Sequence, residues 1–173
     1  RNFNEVTKID RTTGNIIWRL GGEKNQFIFI NDTRGFSRQH SVRQLSNANI
    51  IMFDNGDNLI PEYSSLVEYE IDETNLTATL IRRYTRNESI FSRVFGSVQE
   101  LNNGIILIGW GENQNPGVSE INDQDSVEFE MKFIDYTRQY RVYRFKWGTN
   151  LFTVNSDSVD FGIVSLGDSS IVD

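Results

Sequence analysis

The 173-residue chain has no cysteine. Disulfides and thiolate metal sites are therefore excluded, while the compartment stays open, because a chain without thiols is indifferent to redox poise. Proline is scarce, at 2 residues, and histidine occurs once. Basic residues are outnumbered, 17 Lys and Arg against 24 Asp and Glu, for a net charge of −7 and a pI near 4.8. That balance argues against non-specific binding to nucleic acid or to an anionic membrane. No apolar run approaches the ~18 residues of a membrane span, so no membrane insertion is expected. No signal peptide is visible. The chain opens on Arg1 and reads as an internal piece of a longer polypeptide, so the missing leader says nothing about export.

What is present suits a β-rich domain. Hydrophobic residues make up 38% and aromatics 12%, enough for a core. Thirteen glycines, with many Asn and Asp, supply turn chemistry. The length has room for one domain and the edge of a second.

Alternation and turn signals predict strands in order. Residues 5–20 read as a hairpin around Asp10-Arg-Thr-Thr-Gly14, and Phe27-Ile-Phe-Ile30 as either a short strand or an insertion. Residues 40–54 form a second hairpin closed by Asp54-Asn-Gly56. Residues 65–71 and 76–84 form a third, around Asp72-Glu-Thr-Asn75. Strands within 97–110 follow, then 118–121 paired with 126–133, and 140–147 alternates strictly. Arg82-Arg83 reads as a solvated strand end.

This order repeats itself. The outer hairpin recurs at Ile9-Asp10, Ile71-Asp72 and Ile121-Asn122, 62 and 50 residues apart. The inner element occurs as 40–56 and again as 97–111, pairing Val42 with Val98, Leu45 with Leu101 and Gly56 with Gly111. His40 falls opposite Gly96, so the repeat itself does not require an imidazole. Four short strands every ~40–60 residues is the pattern of propeller blades. The expected fold is all-β. It comprises about two and a half four-stranded blades of an incomplete β-propeller over 1–148, with the missing blades upstream, and then the first strands of a β-sandwich over 149–173. A ring open in this way is predicted to be inactive as an isolated piece. The three tryptophans, Trp18, Trp110 and Trp147, fit packing between blades.

The ordered set Glu5-Val-x-x-Ile-Asp10, Trp18-x-Leu-Gly-Gly22, Phe36-x-x-Gln-His40, Phe53-Asp-Asn-Gly56, Val67-Glu-Tyr-x-Ile-Asp72, Phe91-Ser-Arg93, Gly96-Ser-Val-Gln-x-Leu101, Leu107-Ile-Gly-Trp-Gly111 and Tyr140-Arg-x-Tyr-Arg144 resembles the C-terminal blades of the arylsulfotransferase family. The tail, with Asp160-Phe-Gly162, resembles the start of the Ig-like domains named after the Hydin proteins. The family resemblance implies a six-bladed propeller in an extracytoplasmic protein. It also implies transfer of a sulfuryl group from an aryl sulfate to a phenol without a nucleotide donor. Family members usually carry Asp after the Gln-His pair. Here Ser41 stands there, and the further histidines that several members use either lie upstream or are absent.

The residues can be matched to that chemistry. A neutral imidazole can attack sulfur and hold the group as a sulfohistidine. Arginine forks match arrays of anionic oxygens, and preorganised donors on developing charge can each contribute ~2.7–4 kcal/mol. His40 and Arg93 are the candidate catalytic residues, and Arg38, Arg141 and Arg144 the candidate substrate-binding ones. Alternation puts Arg141 and Arg144 on opposite faces, so only one can point at a given ligand. The resemblance implies a small phenol or aryl sulfate as ligand, and neither metal nor cofactor is called for. Asp54-Asn-Gly-Asp57 and Asn122-Asp-Gln-Asp125 match no calcium loop and read as turns. A second reading treats His40 as a hydrogen-bonded structural residue, the arginines of 138–144 as partners of acids, and the whole as a non-catalytic binding or surface module.

Overall fold

The computed structural model describes residues 2–86, 90–134 and 137–146. The expected sandwich strands (149–173) and Trp147 lie outside these. Among the described residues eleven strands form three sheets, antiparallel except for the β3–β7 pair, and no α-helix occurs. The first sheet pairs β1 (Glu5–Ile9) with β2 (Ile16–Gly21). The second contains β3 (Ile28–Ile30), β4 (His40–Gln44), β5 (Ile50–Asp54), β6 (Ser65–Asp72) and β7 (Thr77–Tyr84). The third contains β8 (Ser97–Glu100), β9 (Ile106–Gly109), β10 (Val118–Ile121) and β11 (Val127–Met131).

The three outer turns share one device. Asp10 Oδ1 accepts the amides of Thr12 and Thr13 at 2.9 and 2.7 Å, and Asp72 Oδ1 those of Thr74 and Asn75 at 2.8 and 2.9 Å. Asn122 Oδ1 accepts from Gln124 and Ser126 at 2.9 and 3.0 Å. The recurring Ile-Asx signal is therefore a side chain closing a turn on its own backbone.

The sheets pack face to face. Every residue of β5 is buried, because successive side chains point to opposite faces and both faces are covered. Ile50 and Met52 join Trp18, Leu20, Val67 and Tyr69 in a cluster between the first and second sheets. Ile51 and Phe53 join Leu66, Val98, Ile108 and Trp110 between the second and third. Trp110 is fully buried, its ring 6.0 Å from that of Phe53, and its indole donates to Ser119 Oγ at 2.9 Å. Trp18 and Trp110 thus sit between sheets.

Three expectations need correction. The middle sheet has five strands, in the order β3-β7-β6-β5-β4, because Phe27-Ile-Phe-Ile30 supplies a short strand parallel to β7. Residues 140–146 are not a strand. The segment runs beside β8, but its backbone bonds to side chains: Val142 N–H donates to Ser97 Oγ at 2.8 Å, Arg144 N–H to Gln99 Oε1 at 2.9 Å, and Gln99 Nε2 to Arg144 O at 3.0 Å. Arg82 and Arg83 are not solvated. The Arg82 guanidinium bonds to Asp125 and to Asn122 O, and Arg83 is enclosed in a network described below.

Candidate functional site

His40 opens β4 and is half-buried. Its Nδ1 lies 2.6 Å from Asn55 Oδ1. Asn55 is fully buried, and its Nδ2 donates to the carbonyls of Ser92 and Phe95 at 2.6 and 2.9 Å. Two carbonyls can be satisfied only by the amide's NH2, so the oxygen faces His40. An amide oxygen only accepts. His40 must therefore donate from Nδ1, which in the neutral ring leaves the lone pair on Nε2.

The same asparagine grips the loop that carries Arg93. The carbonyls of Ser92 and Phe95 flank Arg93 on either side, and both are held by one side chain. Ser64 and Ser92, each fully buried, extend the network. Ser64 Oγ donates to Asn55 O at 3.0 Å and accepts from Ser92 N–H at 2.8 Å, and Ser92 Oγ donates to Trp110 O at 2.6 Å. Arg93 itself is exposed at the surface of this loop.

Asp54, the preceding residue, does the matching work for the loop before β4. Its Oδ1 accepts from Ser37 N–H and Gly56 N–H, both at 2.9 Å. Its Oδ2 pairs with Arg83 at 3.2 Å, and Arg83 reaches Asp32 at 2.9 Å and Gly35 O at 2.8 Å. Burial pushes the Asp54 carboxyl up against the pull of those amides and of Arg83. Burial also acts to raise Asp32, but the Tyr69 hydroxyl and Arg83 outweigh it and hold Asp32 below its usual range. Arg38 projects from the loop so anchored. Its backbone donates to Asn4 Oδ1 at 2.8 Å, its Nη1 to Asn2 Oδ1 at 3.0 Å, and its Nε is 3.7 Å from Asp57.

Tyr140 completes the surroundings. Its ring is perpendicular to that of His40, centroids 6.4 Å apart, and 5.6 Å from that of Phe95. The Arg141 guanidinium sits 5.1 Å from the Tyr140 centroid. Arg144 is elsewhere: its Nη1 bonds to both oxygens of buried Glu120. The two arginines do point apart, as the alternation predicts. Among the sequence-derived candidates, His40 opens β4, Arg38 and Arg93 stand on the loops before β4 and β8, and Arg141 lies against Tyr140 and Tyr143, whereas Arg144 neutralises a carboxylate.

The opposing glycine is also explained. Gly96 has φ +101°, and a Cβ there would lie 2.2 Å from the Phe53 ring. The second copy has no space for a side chain where the first carries His40. Ser41 Oγ bridges to Val98 of the neighbouring sheet, within 3.4 Å of its N and O, so the orientation of His40 comes from Asn55 and not from the residue after it. Asn55 is missing from the sequence-derived candidates. The signal was there: in the aligned copies Asn55 faces Trp110, so the repeat breaks at both members of the His40–Asn55 pair.

Among the described residues no group of three or more acidic or histidine side chains could hold a metal, and no helix is long and apolar enough to cross a membrane. The family model described as Arylsulfotransferase (ASST) matches residues 1–134. A comparison with curated proteins finds no match.

Proposed function

Because the chain belongs to the arylsulfotransferase family, we propose that it moves a sulfuryl group from an aryl sulfate to a phenol through His40. In the first half-reaction Nε2 attacks sulfur, the bond from sulfur to the donor's aryl oxygen breaks, and the phenolate leaves with the electron pair and takes a proton from water. In the second, the acceptor's oxygen attacks, the N–S bond breaks, its pair returns to Nε2, and the acceptor's proton passes to solvent. The bond from Nδ1–H to Asn55 strengthens while the sulfated ring carries positive charge. Arg93 and Arg38 are the cations for the sulfuryl oxygens, and Arg141 is turned to the Tyr143 hydroxyl. Arg144 is left out of this set because Glu120 already engages it.

The observation that carries the reading is the fixed tautomer, since a sulfur nucleophile needs an unprotonated nitrogen. The stacking of successive sheets through shared apolar clusters supports a propeller with further blades from the same polypeptide. The family supports an extracytoplasmic location.

The test uses the full-length protein and p-nitrophenyl sulfate, quenched in base and mapped by peptide mass spectrometry beside His40→Asn. A sulfuryl adduct on the His40 peptide, absent from the variant, is expected. Release of p-nitrophenol by His40→Asn at the wild-type rate would overturn the assignment. No turnover by either protein would favour a non-catalytic binding module.

A further inference from the structure

A second cationic feature lies further along β4 and the 140–146 segment. Arg43 of β4 donates from Nη2 to the Tyr143 hydroxyl at 2.7 Å, and Arg141 Nη1 is 3.5 Å from the same oxygen. The Arg43 guanidinium also lies 5.4 Å from the Tyr143 ring centroid. Two guanidinium groups from segments 98 residues apart in sequence thus converge on one neutral oxygen.

Six of the other arginines are neutralised directly: Arg19, Arg38, Arg82, Arg83, Arg86 and Arg144 each pair with a carboxylate. Neither Arg43 nor Arg141 has a carboxylate partner among the described residues, although acids outnumber bases in the sequence. Like charges held around one hydroxyl repel unless an anion lies between them. Arg43 and Tyr143, with Leu45, Gln99 and Phe145, line a cavity of about 330 Å³, which Arg141 does not line. Glu100 also lines it, its carboxylate accepting from Ser46 N–H and Oγ at 3.2 and 3.1 Å. Apolar and aromatic walls with a cationic edge suit an aryl group bearing an oxyanion.

We propose that Arg43, Arg141 and Tyr143 form an anion subsite that selects acceptor phenols carrying a second, remote oxyanion. Spacing sets the acceptor's length. Arg43 follows His40 by three residues on β4, and Tyr143 follows Tyr140 by three. β4 is bulged between His40 and Arg43, so Arg43 lies opposite Ile51, two residues along β5 from the Phe53 that faces His40; this puts the two backbones about 7 Å apart, and the long arginine side chain extends the reach of the subsite beyond that. The matching acceptor is a two-ring phenol with a carboxylate, sulfonate or sulfate at its far end. This assignment rests on the sulfuryl-transfer reading.

The test compares 4′-hydroxybiphenyl-4-carboxylate with 4-phenylphenol as acceptors in the full-length protein, with p-nitrophenyl sulfate as donor. The acid is expected to have kcat/KM at least about tenfold higher, which is the value of one charge-assisted bond. In Arg43→Gln and Arg141→Gln the ratio should fall towards one. Equal use of both acceptors by the wild type, or an unchanged preference in both variants, would overturn the subsite. Should the donor not turn over at all, the sulfuryl-transfer reading has failed, and calorimetry then judges the subsite. Tighter binding of the acid, lost in Arg43→Gln, supports it, and equal binding of acid and neutral analogue overturns it.

Discussion

Asn55 Oδ1 lies 2.6 Å from His40 Nδ1 while its Nδ2 spans the carbonyls of Ser92 and Phe95. One buried amide therefore fixes the histidine tautomer and the loop of Arg93 together. In Asn55→Ala, the Phe95 carbonyl and the imidazole N–H lose this partner, and the Ser92 carbonyl keeps only the longer bond from Ser64 Oγ at 3.3 Å. Each full loss costs about 1–3 kcal/mol, so a stability loss of roughly 2 kcal/mol or more is expected in urea unfolding. Sulfuryl transfer should fall further than the lost folded fraction explains, measured at a temperature where the variant is folded. A variant with the wild-type midpoint would show that Asn55 holds neither element.

Gly96 presents the opposite case, a position where no side chain fits. Gly96→Ala puts a Cβ 2.2 Å from the Phe53 ring at φ +101°, a backbone region that costs L-residues about 1–2 kcal/mol by itself. The variant should lose roughly 2–4 kcal/mol, by strain and overpacking together. Phe53→Leu in the same chain removes part of the collision, so the double variant should be more stable than the two single losses predict. Strict additivity in a double-mutant cycle would mean that the backbone alone, and not the ring, demands glycine.

How much of this was legible in the sequence depended on how local the physics is. The outer hairpins were, because Asp10, Asp72 and Asn122 close their turns within a few residues. The interior sheet was, because β5 is apolar on both faces. β3 was ambiguous: three residues pair in parallel with a strand that begins at Thr77, and so short a run leaves no period to read. The alternation of 140–146 sorts its side chains correctly, with Arg141 near Tyr143 and Arg144 on Glu120. It does not reveal that side chains of Ser97 and Gln99 replace a ladder partner. Asn55 was hidden inside an Asp-Asn-Gly triplet, whose default meaning is a turn. Arg83 looked solvated because its partners, Asp32 and Asp54, lie 51 and 29 residues away.

The turn carboxylates give a pH dependence with a definite sign. Backbone bonds from Thr13 and Thr12 hold the Asp10 carboxyl below its ordinary value, and those from Asn75 and Thr74, with the Asn75 side chain, do so for Asp72. A folded-state pKa below the unfolded one means that the unfolded chain binds the proton more readily. The stabilisation is then present above the unfolded value, about pH 4, and is lost as pH falls through the lower folded one. The wild type should lose stability over that acid window more steeply than Asp10→Asn/Asp72→Asn, whose turns keep an acceptor oxygen but do not titrate. Parallel acid limbs in a series of urea midpoints would remove these two turns from the account.

Ser97 tests whether a side chain can stand in for a sheet ladder. It is fully buried, and its Oγ accepts from Val142 N–H at 2.8 Å. Val142 in turn fills the space against Gly109, where an added Cβ would lie 2.9 Å from the valine. The equivalent Ser41 bridges to Val98 in the same way, but there Val98 also has a backbone ladder with β9. Residues 140–146 have no backbone ladder and otherwise hold to β8 through the Gln99 side chain at Arg144, so the loss of one hydroxyl should be felt unequally. Ser97→Ala should abolish hydrogen-exchange protection at the Val142 amide and loosen the segment that presents Tyr140 and Arg141, at a global cost of only about 1 kcal/mol. Ser41→Ala should leave the Val98 amide less affected. If both variants lose protection alike, local burial and not the hydroxyl bridge holds the segment in place.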